Sequence, residues 1–242
     1  MIMKRFTRLK GLGRYACLGV AVLNQLGRGS KFHNVQKGRS DYLLQLLADA
    51  SVKCQPACVR PFLSREYIAP VIDQQVHICP DFAPEMILVD SFSDLTDQVF
   101  RHRAQGWKFC CNYQDLAHGP DFDEIFESLG LLNLGELEAN YRRLLGLIEA
   151  RWPGTPVVYL HFPDALEQRE TFLTRAKIIR EVVARCAADC HNFYSFSVPA
   201  SVVKPPDEVE PGLKDFAYHY NMGTYAAFAD MIRTNPVLRK LF

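Results

Sequence analysis

Residues 156–198, PVVYLHFPDALEQRETFLTRAKIIREVVARCAADCHNFYSFSV, hold two short apolar runs on either side of a long amphipathic one. The outer runs, 156–162 and 192–198, are rich in Val, Leu, Tyr and Phe and read as strands. Between them, over 166–189, Phe172, Ala176, Ile179 and Val183 recur three and four apart, the spacing of one helix face. The alternation continues outward. ACLGVAVL (16–23), VKCQPACV (52–59) and EMILVD (85–90) are further strand candidates, and KFCCNY (108–113) is a short strand or a loop. Helices are predicted over 40–50, 134–152 and 224–234. In the second of these, Leu137, Tyr141, Leu144, Leu145 and Ile148 share a face, and Pro153-Gly154 ends it. Strand-like runs alternating with helix-like ones point to an α/β chain with a mainly parallel sheet. Its central strands are continuously apolar because both faces are covered.

The 242 residues, 48% hydrophobic and 23% charged, suit one large domain spanning 1–242. Charge is unevenly spread. Residues 1–40 carry nine Lys or Arg and no acid before Asp41, whereas the remaining 202 carry 19 basic and 27 acidic groups, a net of −8. A basic extension over 1–14 would face an anionic ligand, an acidic polymer or a membrane surface, or simply be solvated. The apolar stretch YACLGVAVL (15–23) is shorter than the roughly 20 residues a membrane span needs and lacks a small-x-small cleavage site, so a buried first strand is expected there. Of the eight cysteines, Cys17, Cys110 and Cys111 sit in apolar runs as small core residues. CAADCH (186–191) has zinc-like spacing without the glycines of a zinc ribbon, so reduced thiols in a cytoplasmic protein are expected instead of a metal site.

In an open parallel sheet, ligands bind outside the carboxyl ends of the strands. The segments expected there are NQLGRGSKFHN, DSFSDL, PDALEQR and KDFAYHYN, which gather Ser, Asp, Asn, Arg and His. Together, GRGS (27–30), MILVDSFSDL (86–95) and DFAYHYNMGTYAAFADMI (215–232) resemble the SGNH (GDSL-type) hydrolase superfamily in layout, and within it proteins associated with bacterial surface-polysaccharide modification. The resemblance covers most of the chain. It implies a three-layer α/β/α sandwich with a mainly parallel five-stranded sheet, flavodoxin-like in type. It also implies an acyl-enzyme mechanism: Ser30 attacks, His219 serves as base and then acid, and Asp215 orients His219.

The pattern is not followed throughout. Asp215 and His219 are four apart, one residue more than the superfamily's spacing, and Ser40 in GRS (38–40) is a second candidate nucleophile whose alternative role is a helix cap. The Asn expected after the third strand is replaced by DSFSDL, leaving Asn34 and Asn112 as oxyanion donors. Arg28, Asp90, Asp94, Tyr218 and Tyr220 complete the substrate-binding candidates. Asp90 and Asp94 would hold the nucleophile turn or bind sugar hydroxyls, and the tyrosines would stack on a sugar ring or pack in the core. His33 and His161 lie near strand ends, and Arg169 would clamp an anionic group or sit on a solvated helix face.

The expected activity is that of an O-acyl esterase or O-acyltransferase on acylated or anionic carbohydrate. No cofactor is needed beyond an acyl donor such as acetyl-CoA in the transferase case. The alternative is a non-catalytic glycan-binding or scaffold protein of a polysaccharide system. Neither a Gly-x-x-x-x-Gly-Lys-Ser/Thr loop nor a Gly-x-Gly-x-x-Gly turn after the first strand is present, so nucleotide binding is not expected, and no nucleic-acid partner is either. Localisation is expected to be cytoplasmic, with peripheral membrane contact through the basic N-terminus as the alternative.

Overall fold

The first strand is LKGLGR, ahead of the apolar run expected to form it. The structure, a computed structural model, describes residues 8–27, 29–207 and 217–242. In chain order the elements are β1 (Leu9–Arg14), α1 (Cys17–Leu26), β2 (Ser30–Asn34), α2 (Ser40–Ala48), α3 (Pro56–Val59) and α4 (Ala69–Asp73). Next come β3 (Met86–Asp90), α5 (Phe92–Thr96), β4 (Asp97–His102), β5 (Lys108–Asn112), α6 (Pro120–Ile125) and β6 (Phe126–Leu131). The rest are α7 (Leu137–Arg151), β7 (Val157–Leu160), α8 (Glu170–Asp189), β8 (Phe193–Phe196) and α9 (Met222–Thr234), with short 3-10 turns between several of them.

The central sheet has five parallel strands in the order β2-β1-β3-β7-β8. This is the flavodoxin-like order, and it reverses direction between β1 and β3. Helices α1 and α9 pack on each other on one side of the sheet, while α2, α7 and α8 form the other layer. Strand β7 is buried along its whole length, Val157 to Leu160. Each such aliphatic side chain contributes roughly 1.5–3 kcal/mol.

Three strands expected from the sequence, β3, β7 and β8, lie where the apolar runs place them. Two do not. Residues 16–23 belong to helix α1, whose buried positions Leu18, Val22 and Leu26 are four apart, and Gly27, at φ 73°, closes it in the left-handed region. Residues 52–59 form a 3-10 turn and α3, because Pro56 fits the first turn of a helix and cannot donate in a strand ladder. Residues 9–14, expected to belong to a basic extension, are instead the sheet's second-innermost strand. Glycines serve close approach there: a Cβ at Gly11 would lie 2.2 Å from the ring of Phe32 on β2.

A second sheet was not anticipated. Strands β5-β4-β6 are antiparallel, with an irregular register between Gln98 and Phe100. They pack with α3 and α4 around their own aromatic core of Phe100, Trp107, Phe109, Phe122 and Phe126. Segment 108–113, left open between strand and loop, is mostly β5 of this sheet.

Candidate active site

Between this inserted sheet and the carboxyl ends of β1 and β3 lies a cleft of about 670 Å³. The main sheet contributes Ala16, Cys17, Gln36, Lys37 and Phe92, and the insertion contributes Arg65, Tyr67, Gln98, Asn112 and Asp115. Arg169, Tyr218 and His219 close it from the carboxyl end of the chain.

The turn that carries Cys17 is held from both neighbouring strands. From β2, the Asn34 side chain accepts from Tyr15 N at 3.1 Å and donates to Tyr15 O at 3.0 Å. From β3, the Asp90 carboxylate accepts from Ala16 N at 2.7 Å and Phe92 N at 3.1 Å, so it caps α1 from another strand. Burial pushes the Asp90 carboxyl up to about 7, against those amides and Arg14, which favour its charged form. Cys17 opens α1, and its thiol donates to Tyr218 O across 3.7 Å. Burial, then the nearby Asp90 charge, push that thiol up to about 12, against the amides of Leu18 and Cys17. At neutral pH it is a thiol and needs a base to become a nucleophile.

His219 is half-buried between two buried tyrosines that fix its backbone. The Tyr218 hydroxyl donates to Glu167 Oε2 at 2.5 Å, and its ring meets those of Phe92 and Phe162 edge-on. Tyr220 donates through its hydroxyl to Pro163 O at 2.7 Å and through its amide to the Tyr225 hydroxyl at 3.0 Å. Asn221 then caps α9 by accepting from Thr224 N. Cys17 and His219 also share a shallower recess beside this cleft, with Gln36 and Tyr225 on its walls.

Cations collect on the cleft wall. The buried Lys37 ammonium donates to Asp115 at 2.8 Å and faces Asp97 at 3.5 Å. Arg65 bonds the Tyr67 hydroxyl and stacks on its ring. Arg169 grips Glu167 with two guanidinium nitrogens, at 2.8 and 2.7 Å, and lies 4.2 Å over the Phe172 ring. Burial works against the Glu167 carboxylate, but the bonds from Arg169 and Tyr218 hold it down to about 2. A carboxyl depressed in the folded chain stabilises it above the unfolded value, near 4.5, and loses that contribution as pH falls through about 2. Glu167→Gln is therefore expected to cost about 2–3 kcal/mol at pH 7 and about 1 kcal/mol at pH 3. Urea unfolding of both proteins at the two pH values checks this, and an equal cost at both would contradict it.

Beneath the cleft floor, Arg14 and Asp94 form a buried pair at 2.7 Å. Asp94 also accepts from Ser40 N at 2.8 Å and the Tyr141 hydroxyl at 2.5 Å, and Arg14 donates to Asp90 O and Gly38 O. Burial opposes the Asp94 charge, but Arg14 and these donors hold its carboxyl below its ordinary value.

The residues singled out from the sequence thus fall into three groups. His219, Asn112 and Tyr218 line the cleft. Asp90, Asp94 and Asn34 stand next to it as supports, with Asn34 bonded on both amide atoms to Tyr15 and so turned to holding the turn, not an oxyanion. Tyr220 packs in the core. Ser30 is separated from His219, because it begins β2, opposite Leu9 at the amino end of the sheet. The premise that GRGS follows the first strand fails, since it follows α1. Ser40 is the first residue of α2, with a buried hydroxyl that bonds nothing among the described residues, and it is absent from the cleft. Asp215 and Arg28 lie outside the described residues.

His33 bonds His77 O, and His161 bonds Ser195 Oγ within the sheet's end, where burial pushes it down to about 3. All eight cysteines are free, and among the described residues no group of three or more His, Cys, Asp or Glu is arranged to hold a metal. No helix among them is long and apolar enough to cross a membrane. Cys17, read from the sequence as a small core residue, lines the cleft together with Lys37, Arg65, Gln98 and Asp115, which the sequence reading did not single out. The signal for Cys17 was position: a cysteine at the junction of a strand and a helix, on the side of the sheet where ligands bind in this sheet type.

No family model matches the chain, and no curated protein matches it. Among solved structures, the chain is similar to an acetyl xylan esterase, Est2A, from the rumen bacterium Butyrivibrio proteoclasticus. The match has a TM-score of 0.42 and 10% identity, and it covers 100% of this chain and 67% of that one. That likeness is too distant to carry an argument about activity, which rests on the cleft itself.

Proposed function

We propose that this chain transfers or hydrolyses acyl groups on carbohydrate esters, with the Cys17 thiol in the nucleophile's place and His219 as its base. One observation carries the reading: Cys17 and His219 share one cleft at the β1/β3 switch point, with the thiol bonded to the backbone of the residue before His219. The thiol sulfur attacks the acyl carbonyl carbon while its proton passes to His219. The tetrahedral intermediate collapses to a thioester on Cys17, and His219 returns the proton to the departing sugar oxygen. Water or a second hydroxyl then takes the acyl group, with His219 again removing the proton. Asp215 would orient the imidazole, and Asn112 and the cleft cations would stabilise developing negative charge. The cations also favour an anionic glycan or a phosphate-bearing acyl donor such as acetyl-CoA. A bacterial surface polysaccharide is the substrate class that the sequence resemblance adds.

The assay is turnover of p-nitrophenyl acetate and of acetylated glycans by wild type, Cys17→Ala, His219→Ala and Ser30→Ala. Turnover is expected to survive Ser30→Ala within about twofold, since that residue is remote from the cleft. Loss of activity in Ser30→Ala alone would sink the assignment of the thiol. A second reading, glycan binding without hydrolysis, is favoured by the elevated thiol. It predicts saturable glycan binding and no turnover in any of the four proteins.

A further inference from the structure

A second cavity, of about 450 Å³, lies between the main sheet and helices α2 and α7, has Arg14 and Tyr141 on its wall and shares no lining residue with the cleft. Protein interiors are packed with few voids larger than a water. Here, however, Leu12 on β1 and Val89 on β3, both on central strands, are only half-buried, as are Leu145 and Ile148 on the facing side of α7. Among α7 residues only Leu137 and Tyr141 are fully buried, so the carboxyl half of the helix stands away from the sheet it should cover. The polar wall groups are already engaged: Arg14 and the Tyr141 hydroxyl bond Asp94, and Tyr159 bonds Tyr141. At the mouth, Leu47 and Leu147 are exposed at 45% and 44%. Beside them Arg151 lies 5.0 Å over the Trp152 ring and forms no ion pair among the described residues.

We infer that this cavity binds a single long-chain fatty acid, its aliphatic tail against Leu12, Val89, Leu145 and Ile148 and its carboxylate at Arg151. Depth argues for a chain over a protein partner: the lining runs from Leu47 and Leu147, exposed on α2 and α7, inward to Leu12, Ile87 and Val89 on the central strands, where a flat protein surface does not reach. Volume and apolar lining both match small-ligand sites, and Arg151 at the rim sets the sign of the headgroup. The inference does not depend on the thiol chemistry, because the two cavities share no lining residue.

The test is titration of the whole chain with cis-parinaric acid, whose fluorescence rises in an apolar site, followed by displacement with palmitate. Saturable binding is expected. Leu145→Trp, which fills the cavity, should weaken it at least about 10-fold. Arg151→Ala should weaken palmitate about fivefold and leave hexadecanol displacement unchanged. Cys79 lines the same cavity, so palmitate should slow its alkylation by N-ethylmaleimide about 10-fold in the wild type, read on the Cys79 peptide by mass spectrometry. This arm needs no variant to fold. No saturable fluorescence, equal binding by a folded Leu145→Trp, or Cys79 labelling indifferent to palmitate would each overturn the inference.

Discussion

Cys17→Ala is expected to lower ester turnover by at least about 10³-fold, and His219→Ala by about 10²–10⁴-fold. The first figure follows from removing the atom that bonds the acyl group. The second follows from the thiol's environment: with its titration pushed up to about 12, almost none is ionised at pH 7, so nearly every turnover needs His219 to take the proton. The two groups act as one unit, so the double variant should be no slower than the worse single one. Folding should persist in both, because alanine fits where a small half-buried thiol stood at the start of α1, and unfolding midpoints measured beside the kinetics will show it. Multiplicative losses in the double variant would mean that the groups serve separate steps.

Asp94→Ala is expected to cost about 3–5 kcal/mol, the largest stability effect of any single change proposed. Its carboxylate is the shared acceptor of Arg14, the Tyr141 hydroxyl and the first amide of α2. Removal leaves a buried guanidinium without its paired carboxylate and a helix amide unsatisfied. Chemical unfolding at pH 7 measures the effect, and a loss under about 1 kcal/mol would show that Arg14 finds water or another partner. Because its partners Arg14 and Tyr141 line the second cavity, a folded Asp94→Asn chain should also bind fatty acid with altered affinity.

The legible parts of the fold were the central strands Met86–Asp90 and Val157–Leu160, where burial on both faces leaves an almost uninterrupted apolar run, and the edge strand Phe193–Phe196, read from its aromatic residues. Strand β1 was hidden by its own packing. Gly11 and Gly13 leave room for Phe32 and Tyr15, and Lys10 and Arg14 make the hexapeptide look like a tail. Helix α1 misled in the other direction. Lying between the sheet and α9, it is apolar at most positions, so its buried face at Leu18, Val22 and Leu26 is not set off by polar residues on the other side. The second sheet escaped because β4 does not alternate: the irregularity after Gln98 buries Val99 and Phe100 in succession.

The site inherits both outcomes. His219 was found from its place before the last helix, which the structure keeps. Ser30 was favoured only because the strand before it was assigned one element too late. Once β1 moves back to residues 9–14, the position after the first strand passes from Ser30 to the Ala16–Cys17 turn. Asp90, expected to hold a nucleophile turn at Ser30, holds the Ala16–Cys17 turn, whereas Asp94 accepts from the first amide of α2, since acids at a strand's carboxyl end face the amino ends of helices.

The most direct test of the central claim is mass spectrometry of the protein quenched in acid within the first turnovers of p-nitrophenyl acetate. An acetyl adduct of one group per chain on the peptide containing Cys17, removed by hydroxylamine and absent in Cys17→Ala, is the expected result. An adduct on any serine peptide, or turnover with no adduct on Cys17, would contradict it.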